Sequence, residues 1–303
     1  MFVRTFTHSG VFHADEIFAL AAASCVVDGG DSAAVLTRTR DEAELAAAVQ
    51  HPLFLVVDVG GQYDTALGNY DHHQRGFISP GEREMSSFGL VWKDYGPSYV
   101  KSLSSDLTDD EILIIAAKID ESIVACVDAI DTRRGADPGA FSRYTISSLI
   151  SSYNDEPFGF QRAFDLASRF LKTEVQSQIT RVIEQRGLRA DLQAADAAGE
   201  KVVKIERWFP GWPDVVAELS ASVMYGVFYD SKAGSWRVQQ IPESPGASKG
   251  RKALPEPWRG LPSADLQALT GVSDAVFCHP NGFIAGVGSE DGANALANIA
   301  LNA

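Results

Sequence analysis

The sequence is short of cysteine, of positive charge and of long apolar runs, and each shortage removes a class of protein. Three cysteines, Cys25, Cys126 and Cys278, are scattered over 303 residues with no CxxC pair. That pattern speaks against a disulfide scaffold or zinc finger and fits small buried thiols in a reducing compartment. Lys and Arg number 26 against 40 Asp and Glu, a formal net charge of −14. A chain so charged repels polyanions at long range, which argues against a DNA-coating protein and against stable duplex binding. A site that carries its own cations can still take a nucleotide. No apolar run approaches the ~18 residues of a membrane span. Met1–Thr7 leads into a strand-like segment with neither a basic region nor an apolar core, so no signal peptide and a cytoplasmic location are expected. What is present is a core: 45% hydrophobic and 10% aromatic residues rule out global disorder. At roughly 100–200 residues per domain the length suggests two domains.

Along the chain, Phe2–Thr7 alternates like a strand, Ala14–Val27 reads as an alanine-rich helix and Val35–Thr39 as a second strand. Asp41–Gln50 is helical, with Asp41 as N-cap and acids in the first turn. Leu53–Val59 is a short, nearly unbroken apolar run stopped by Gly60-Gly61, as in a strand covered on both faces of a parallel sheet. The alternation of strand and helix predicts an α/β layer architecture. Residues 86–126 look mainly helical, with Thr108 or Asp109 opening a helix toward Ile119. Phe158–Ala198 carries long helical patterning interrupted near Gly187. Beyond it, Val202–Glu206, Ser222–Tyr229 and Ser235–Ile241 read as a mostly antiparallel sheet, Pro242–Arg251 as an exposed loop. Ala275–Cys278, Phe283–Val287 and a helix from about Asp291 close the chain. The boundary is expected near residue 150, giving a first domain over 1–150 and, over 151–303, a bridging helix with a C-terminal domain.

The unusual polar residues of the first half fall where strands are expected to end. His8-x4-His13-x-Asp15 belongs in the loop before the first helix, where the three can converge. Asp58 interrupts an apolar strand, a costly place for a carboxylate unless a cation pairs with it. Asp71-His72-His73 precedes Gln74-Arg75-Gly76, and Asp131 follows Ile123–Ile130, with Asp128 one turn earlier. Four of the six histidines lie in two short motifs before residue 74. Imidazole and carboxylate without thiolate, in more copies than one ion needs, predict a dinuclear site for Mn²⁺, Co²⁺ or Zn²⁺. Strand ends of an open α/β sheet are also where ligands gather.

The segments His8–Glu16, VVDVGG around Asp58, YDHHQRGF over 70–77 and AIDT over 129–132 together resemble the melanocyte proliferating gene protein family, metal-dependent hydrolases of the DHH phosphoesterase superfamily. The resemblance spans nearly the whole chain, since FCHPNGFIAGVGSEDGANALA at the end is also similar. It implies a DHH-phosphoesterase-like parallel-sheet domain plus a smaller C-terminal α/β domain, with the active site in the cleft between them. It further implies that His8, His13, Asp15, Asp58, His72 and Asp131 are metal ligands, Asp58 bridging two ions. Asp71 would orient His72, and His73 would face the substrate phosphate; Asp128 is the alternative to Asp131. Many superfamily members carry Asp where this chain has His13, which lowers the negative charge of the site by one. Two ions, Mn²⁺ first with Zn²⁺, Co²⁺ or Mg²⁺ as alternatives, would lower the pKa of a water and neutralise charge developing on a phosphoryl oxygen.

Arg75, Arg133 and Arg134 are candidates for bidentate phosphate contact. In the second domain, His279, Gly286, Gly288 and Arg251 are the candidates for substrate binding, with the amides before the last helix available to an anion. Trp208, Trp212, Trp236 and Trp258 could stack on bases or fill the core. The expected activity is 3′–5′ exonucleolytic hydrolysis of short RNA or other single-stranded nucleic acid. The alternatives are hydrolysis of a small phosphorylated metabolite or cyclic dinucleotide, and a metal-binding protein without catalysis. The long helical region could also support a homodimer.

Overall fold

The short apolar runs of the N-terminal half do form a parallel sheet, and its strand ends lie side by side. A computed structural model describes residues 1–132 and 145–303. Within it, the chain divides into two units, Met1–Ile179 and Thr180–Ala303. The first holds β1 (Arg4–Thr7), β2 (Leu36–Arg38), β3 (Phe54–Val57), β4 (Tyr63–Asp64) and β5 (Asn69–Tyr70), in the order β2-β1-β3-β5-β4. All neighbours are parallel except β4 against β5. Pairing of Phe6 with Val56, and of Val57 with Tyr70, brings the ends of β1, β3 and β5 to one edge.

α1 (Ala14–Ala23) is buried over its whole length, which its nearly uniform apolar sequence requires. It packs on α3 (Ser87–Leu103). α2 (Glu42–Ala48), capped by Asp41, seals Phe6, Ala48, Val49, Val56 and Val59 into a small core. α4 (Asp109–Ile119) opens with Thr108 and Glu111 capping each other's backbone. A π-helical turn, Asp120–Val124, then leads into α5 (Ala125–Asp131). Asp131 thus ends a helix and not a strand. Val124, Val127 and Asp128 are buried on one face of it, a period near 3.6 that the apolar composition of the segment hides.

α6 (Ile146–Ser152) is followed by α7 (Gly159–Ala198), which runs without a break. Gly187 does not interrupt it: the residue is exposed, a Cβ there would meet nothing within 4 Å, and one glycine costs a helix only about 1 kcal/mol. The division between units falls inside α7, after Ile179, whereas the second domain was expected from the sequence to begin at 151, a position in α6.

The second unit holds β6 (Val202–Ile205), β7 (Tyr225–Asp230), β8 (Ser235–Gln240), β9 (Ala275–Cys278) and β10 (Ile284–Val287), in the order β6-β7-β8-β10-β9. It is antiparallel apart from the β6–β7 pair, as the sequence suggested. α8 (Trp212–Leu219) and the later turns of α7 cover a core around Trp212, Val215 and Phe228. α9 (Ser263–Thr270) and α10 (Glu290–Asn302) belong with a second core around Tyr225, Val238, Trp258 and Leu296. The chain is therefore an α/β protein of two parts. Among the described residues, no helix is long and apolar enough to cross a membrane.

Candidate metal centre

β1 hands the chain to His8, β3 to Asp58 and β5 to Asp71-His72-His73, so sheet register alone gathers these side chains. Asp58 leaves the sheet in the left-handed region, at φ 58°, a conformation Asp tolerates better than most residues. Gly60 and Gly61 follow at φ 96° and 67°. A Cβ on Gly60 would lie 2.7 Å from the Val49 side chain, and the Gly61 amide donates to Asp71 at 2.6 Å. His13 caps α1, and the Glu16 carboxylate accepts from the His13 amide at 2.9 Å. Asp15 and Glu16 are thereby fixed in the first turn, where the helix dipole favours acids.

The side chains close on one point. His8 Nε2 lies 3.1 Å from Glu16 and 3.2 Å from Asp58. His72 Nε2 lies 3.2 Å from Asp131, 3.4 Å from Asp58 and 3.9 Å from Asp15. His73 Nδ1 lies 2.9 Å from Asp71 and 3.3 Å from Asp58. Three groups have ligand atoms within 4.8 Å of one another: His8, His13, Glu16 and Asp58; Asp58, His72 and His73; His13, Asp15 and Asp131. Asp58 belongs to two of them, as does His13. A cleft of about 630 Å³ is lined by Asp15, His72, His73 and Asp131. Another of about 390 Å³ is lined by His8, Arg40, Asp58 and Gly61, and the two share His13 and His73. Both volumes suit a small-molecule or nucleotide site, roughly 300–1,000 Å³.

The electrostatics show what the cluster is built to hold. Asp15 is completely buried, and its proton affinity is raised by burial and then by Asp58, Glu16 and Asp131. Neither of its oxygens has a hydrogen-bond partner among the described residues. Burial also opposes the charge on Asp58, but His72, His73 and His8 outweigh it and hold Asp58 well below the usual carboxylate range. Burial resists protonation of His8 and His72 too, yet Asp58 with Glu16, and Asp131 with Asp58, raise each to about 9. Asp58 and then Asp71 raise His73 to about 10. Each imidazole is thus held toward its charged form by the carboxylates around it, the same negative field that would attract a cation. Buried oxygens without donors beside imidazole nitrogens, and no thiolate, fit hard-to-borderline divalent ions.

Of the residues read from sequence as ligands, His8, His13, Asp15, Asp58, His72 and Asp131 all meet here. Asp71 does not orient His72: its Oδ1 accepts from the ring nitrogen of His73 at 2.9 Å and from the His73 amide at 3.0 Å. Asp128 is no alternative ligand, being occupied by Ser86, Gly89 and Arg83. Arg75 is exposed and lines neither cleft. Arg133 and Arg134 lie outside the described residues. Glu16 was missed, although its place three residues after His13 is that of a capping-box acid.

The second-unit candidates are engaged structurally. Arg251 donates to the backbone oxygens of Val223 and Ala217 at 2.8 and 3.0 Å, so its side chain anchors the end of a loop that is otherwise largely exposed. Gly286 sits within β10, in register with Arg237 of β8 and Phe277 of β9. The Gly288 amide donates to the backbone oxygen of Asp274 at 2.9 Å, and Ser289, which caps α10, donates its hydroxyl to the Asp274 carboxylate. An anion at that helix start would meet Asp274, Glu290 and Asp291. His279 accepts from the Asn281 amide in a turn. Trp212 and Trp258 are core, while Trp208 is half exposed.

The family model described as uncharacterised protein family UPF0160, MYG1 exonuclease, matches residues 4–301. Human MYG1 exonuclease is 30% identical, with 98% of this chain and 85% of that protein covered. A MYG1 protein of Schizosaccharomyces pombe is 31% identical over 99% of this chain and 98% of its own. Among solved structures, Thermus thermophilus RecJ with Mn²⁺ aligns with 99% of this chain and 52% of its own, at 14% identity and a TM-score of 0.28, too low to carry weight. The matches cover strand ends, cluster and second sheet together, and the chain belongs to the MYG1 exonuclease family of hydrolases.

Proposed function

We propose that this protein is a two-metal phosphoesterase that removes nucleotides from the 3′ end of short RNA or other single-stranded nucleic acid, with Mn²⁺ as the first candidate ion. The observation that carries the reading is the sharing of buried Asp58 between two ligand groups, beside an Asp15 carboxylate that no donor satisfies. One group offers His8, Glu16 and Asp58, the other Asp58 and His72, with His13, Asp15 and Asp131 closing the space between. Divalent ions held there would supply an acidified water and the positive field that a protein of net charge −14 lacks. The rest falls to the chain. Asp71 anchors Nδ1 of His73 and keeps the ring charged, which leaves Nε2 of a side chain 61% exposed to donate to a phosphoryl oxygen. The acidic surface repels long duplexes and favours short substrates. The exonuclease names of the relatives support cleavage from a chain end, and the free cysteines accord with a cytoplasmic site of action.

A 5′-labelled short RNA incubated with Mn²⁺ should give a ladder shortening from its 3′ end, absent with His72→Ala. Cleavage of a dinucleotide or pyrophosphate but not of a 5-mer would move the substrate to small phosphorylated metabolites or cyclic-dinucleotide products. No turnover on any phosphoester by a metal-loaded protein would overturn the enzymatic reading.

A further inference from the structure

The first turn of α3 lies between Asp58 of the metal centre and Asp128 of α5. On one side the Ser87 hydroxyl donates to Asp58 Oδ1 at 3.1 Å. On the other, Asp128 Oδ1 accepts from the Ser86 hydroxyl at 2.7 Å, the Ser86 amide at 3.0 Å and the Gly89 amide at 3.2 Å. Ser86 is the N-cap residue of α3, yet its own side chain makes no cap bond. A serine there normally accepts from the third amide of its helix. Here a residue from α5 does so instead, at the cost of burying a carboxylate completely. The substitution also dictates glycine at position 89, since a Cβ would collide with the Asp128 carboxylate.

Asp128 stands one turn before Asp131 on the same face of α5, so a bond that holds Asp128 also holds the stretch of backbone that carries Asp131. Its second oxygen accepts from Arg83 Nε at 3.0 Å, and the terminal nitrogens of Arg83 hold Asp120 at 2.6 and 2.7 Å in the π turn that feeds α5. The span so fixed is narrow. His72 Nε2 sits between Asp58 at 3.4 Å and Asp131 at 3.2 Å, and a slide of α5 by one ångström would open the pair.

We infer that Asp128, braced by Arg83, is a positioning residue that sets the distance from Asp58 to Asp131 through the start of α3, and so lets the centre hold both ions at once. Neither Asp128 nor Arg83 belongs to the ligand groups found among the described residues, so both act through Asp131. The inference rests on the two-metal reading above.

The test is Mn²⁺ binding, followed by stoichiometry and electron paramagnetic resonance, for the wild type, Asp128→Asn, Asp131→Asn and the double variant. The wild type should show the spin-coupled signal of a Mn²⁺ pair. Asp128→Asn should weaken one ion by about 10- to 100-fold, the range for a group that orients a ligand, and convert the signal to that of isolated Mn²⁺. Acting through Asp131, it should add nothing in the double variant, which binds as Asp131→Asn does alone. Additive losses, or an intact coupled signal in Asp128→Asn, overturn the inference and leave the metal centre standing. A wild type that binds no Mn²⁺, Zn²⁺ or Co²⁺ removes both readings. If Asp128→Asn does not fold, the cycle with Arg83→Met decides by the same criteria.

Discussion

The two five-stranded sheets differ in strand direction, and that difference decides where chemistry can be built. In the first, β2, β1, β3 and β5 run parallel, so three successive strand ends deliver His8, Asp58 and Asp71–His73 to one edge. In the second, antiparallel neighbours end at opposite edges, and the polar groups at those ends are spent on turns and caps. Burial follows the same division. Asp15, Glu16, Asp58, Asp71 and Asp128 are all buried in the first unit, whereas in the second, among the described residues, the buried polar side chain is that of Ser220. A domain tolerates that many inward acids only where cations will answer them. The lesson is that strand topology concentrates charge, and the concentrated charge then defines the function.

The sharpest way to break this contrast is a matched pair of substitutions. Asp58→Asn should lower kcat on a short RNA by at least about 10²- to 10³-fold, the scale for one preorganised electrostatic group. His279→Ala should leave kcat on the same RNA unchanged, because that side chain serves a local turn. Steady-state rates on folded, metal-loaded protein decide it. A reversed order would place the chemistry on the second sheet.

How much of this the sequence reveals depends on whether a residue's role is local. β3 and Asp58 are legible because a carboxylate inside an apolar run has few explanations. Asp131 is found for a partly mistaken reason: Ile123–Ile130 is apolar enough to suggest a strand, and only the one-sided burial shows a helix. Whether Asp71 serves His72 or His73 cannot be read from adjacent residues in irregular chain, where ring direction depends on the Gly60-Gly61 turn. Arg251 sits in a turn-rich stretch that looks solvated, and its carbonyl partners at 217 and 223 are distant in sequence. The same holds for Asp128, whose role needs the meeting of α3 with α5.

Glu16→Gln sharpens the comparison within the first unit. Glu16 touches His8 at 3.1 Å and holds the His13 amide, so the amide variant should keep the fold and weaken metal binding by about 10- to 100-fold. Calorimetric titration measures this, and unchanged affinity would exclude Glu16 from the centre.

A gentler probe is pH. In metal-free protein His8 and His72 are raised to about 9, where burial is outweighed by Asp58 with Glu16 and by Asp131 with Asp58; Asp58 and Asp71 raise His73 to about 10. The folded state therefore keeps protons that an unfolded chain releases near 6.5. The stability they give is complete below that pH and is lost as pH rises toward 9 to 10. Metal binding must displace the protons of the ligands His8 and His72, so affinity should rise across this window. Tm should fall with pH without metal and rise relative to that baseline with it, with His72→Ala flattening both trends. A metal-free Tm that climbs between pH 7 and 9 in wild type but not in His72→Ala would contradict the assignment.

The smallest effect belongs to the second unit. Arg251 closes the end of α8 by donating to Ala217 and ties it to Val223 just before β7, a cation placed where the helix dipole favours one. Arg251→Ala strips two backbone oxygens of a charged donor and should cost about 1–3 kcal/mol. The urea midpoint should drop while the rate per folded molecule and the KM for RNA stay unchanged. If KM rises with stability intact, Arg251 is a substrate contact after all, and the second sheet takes part in recognition through a side chain that the backbone already claims.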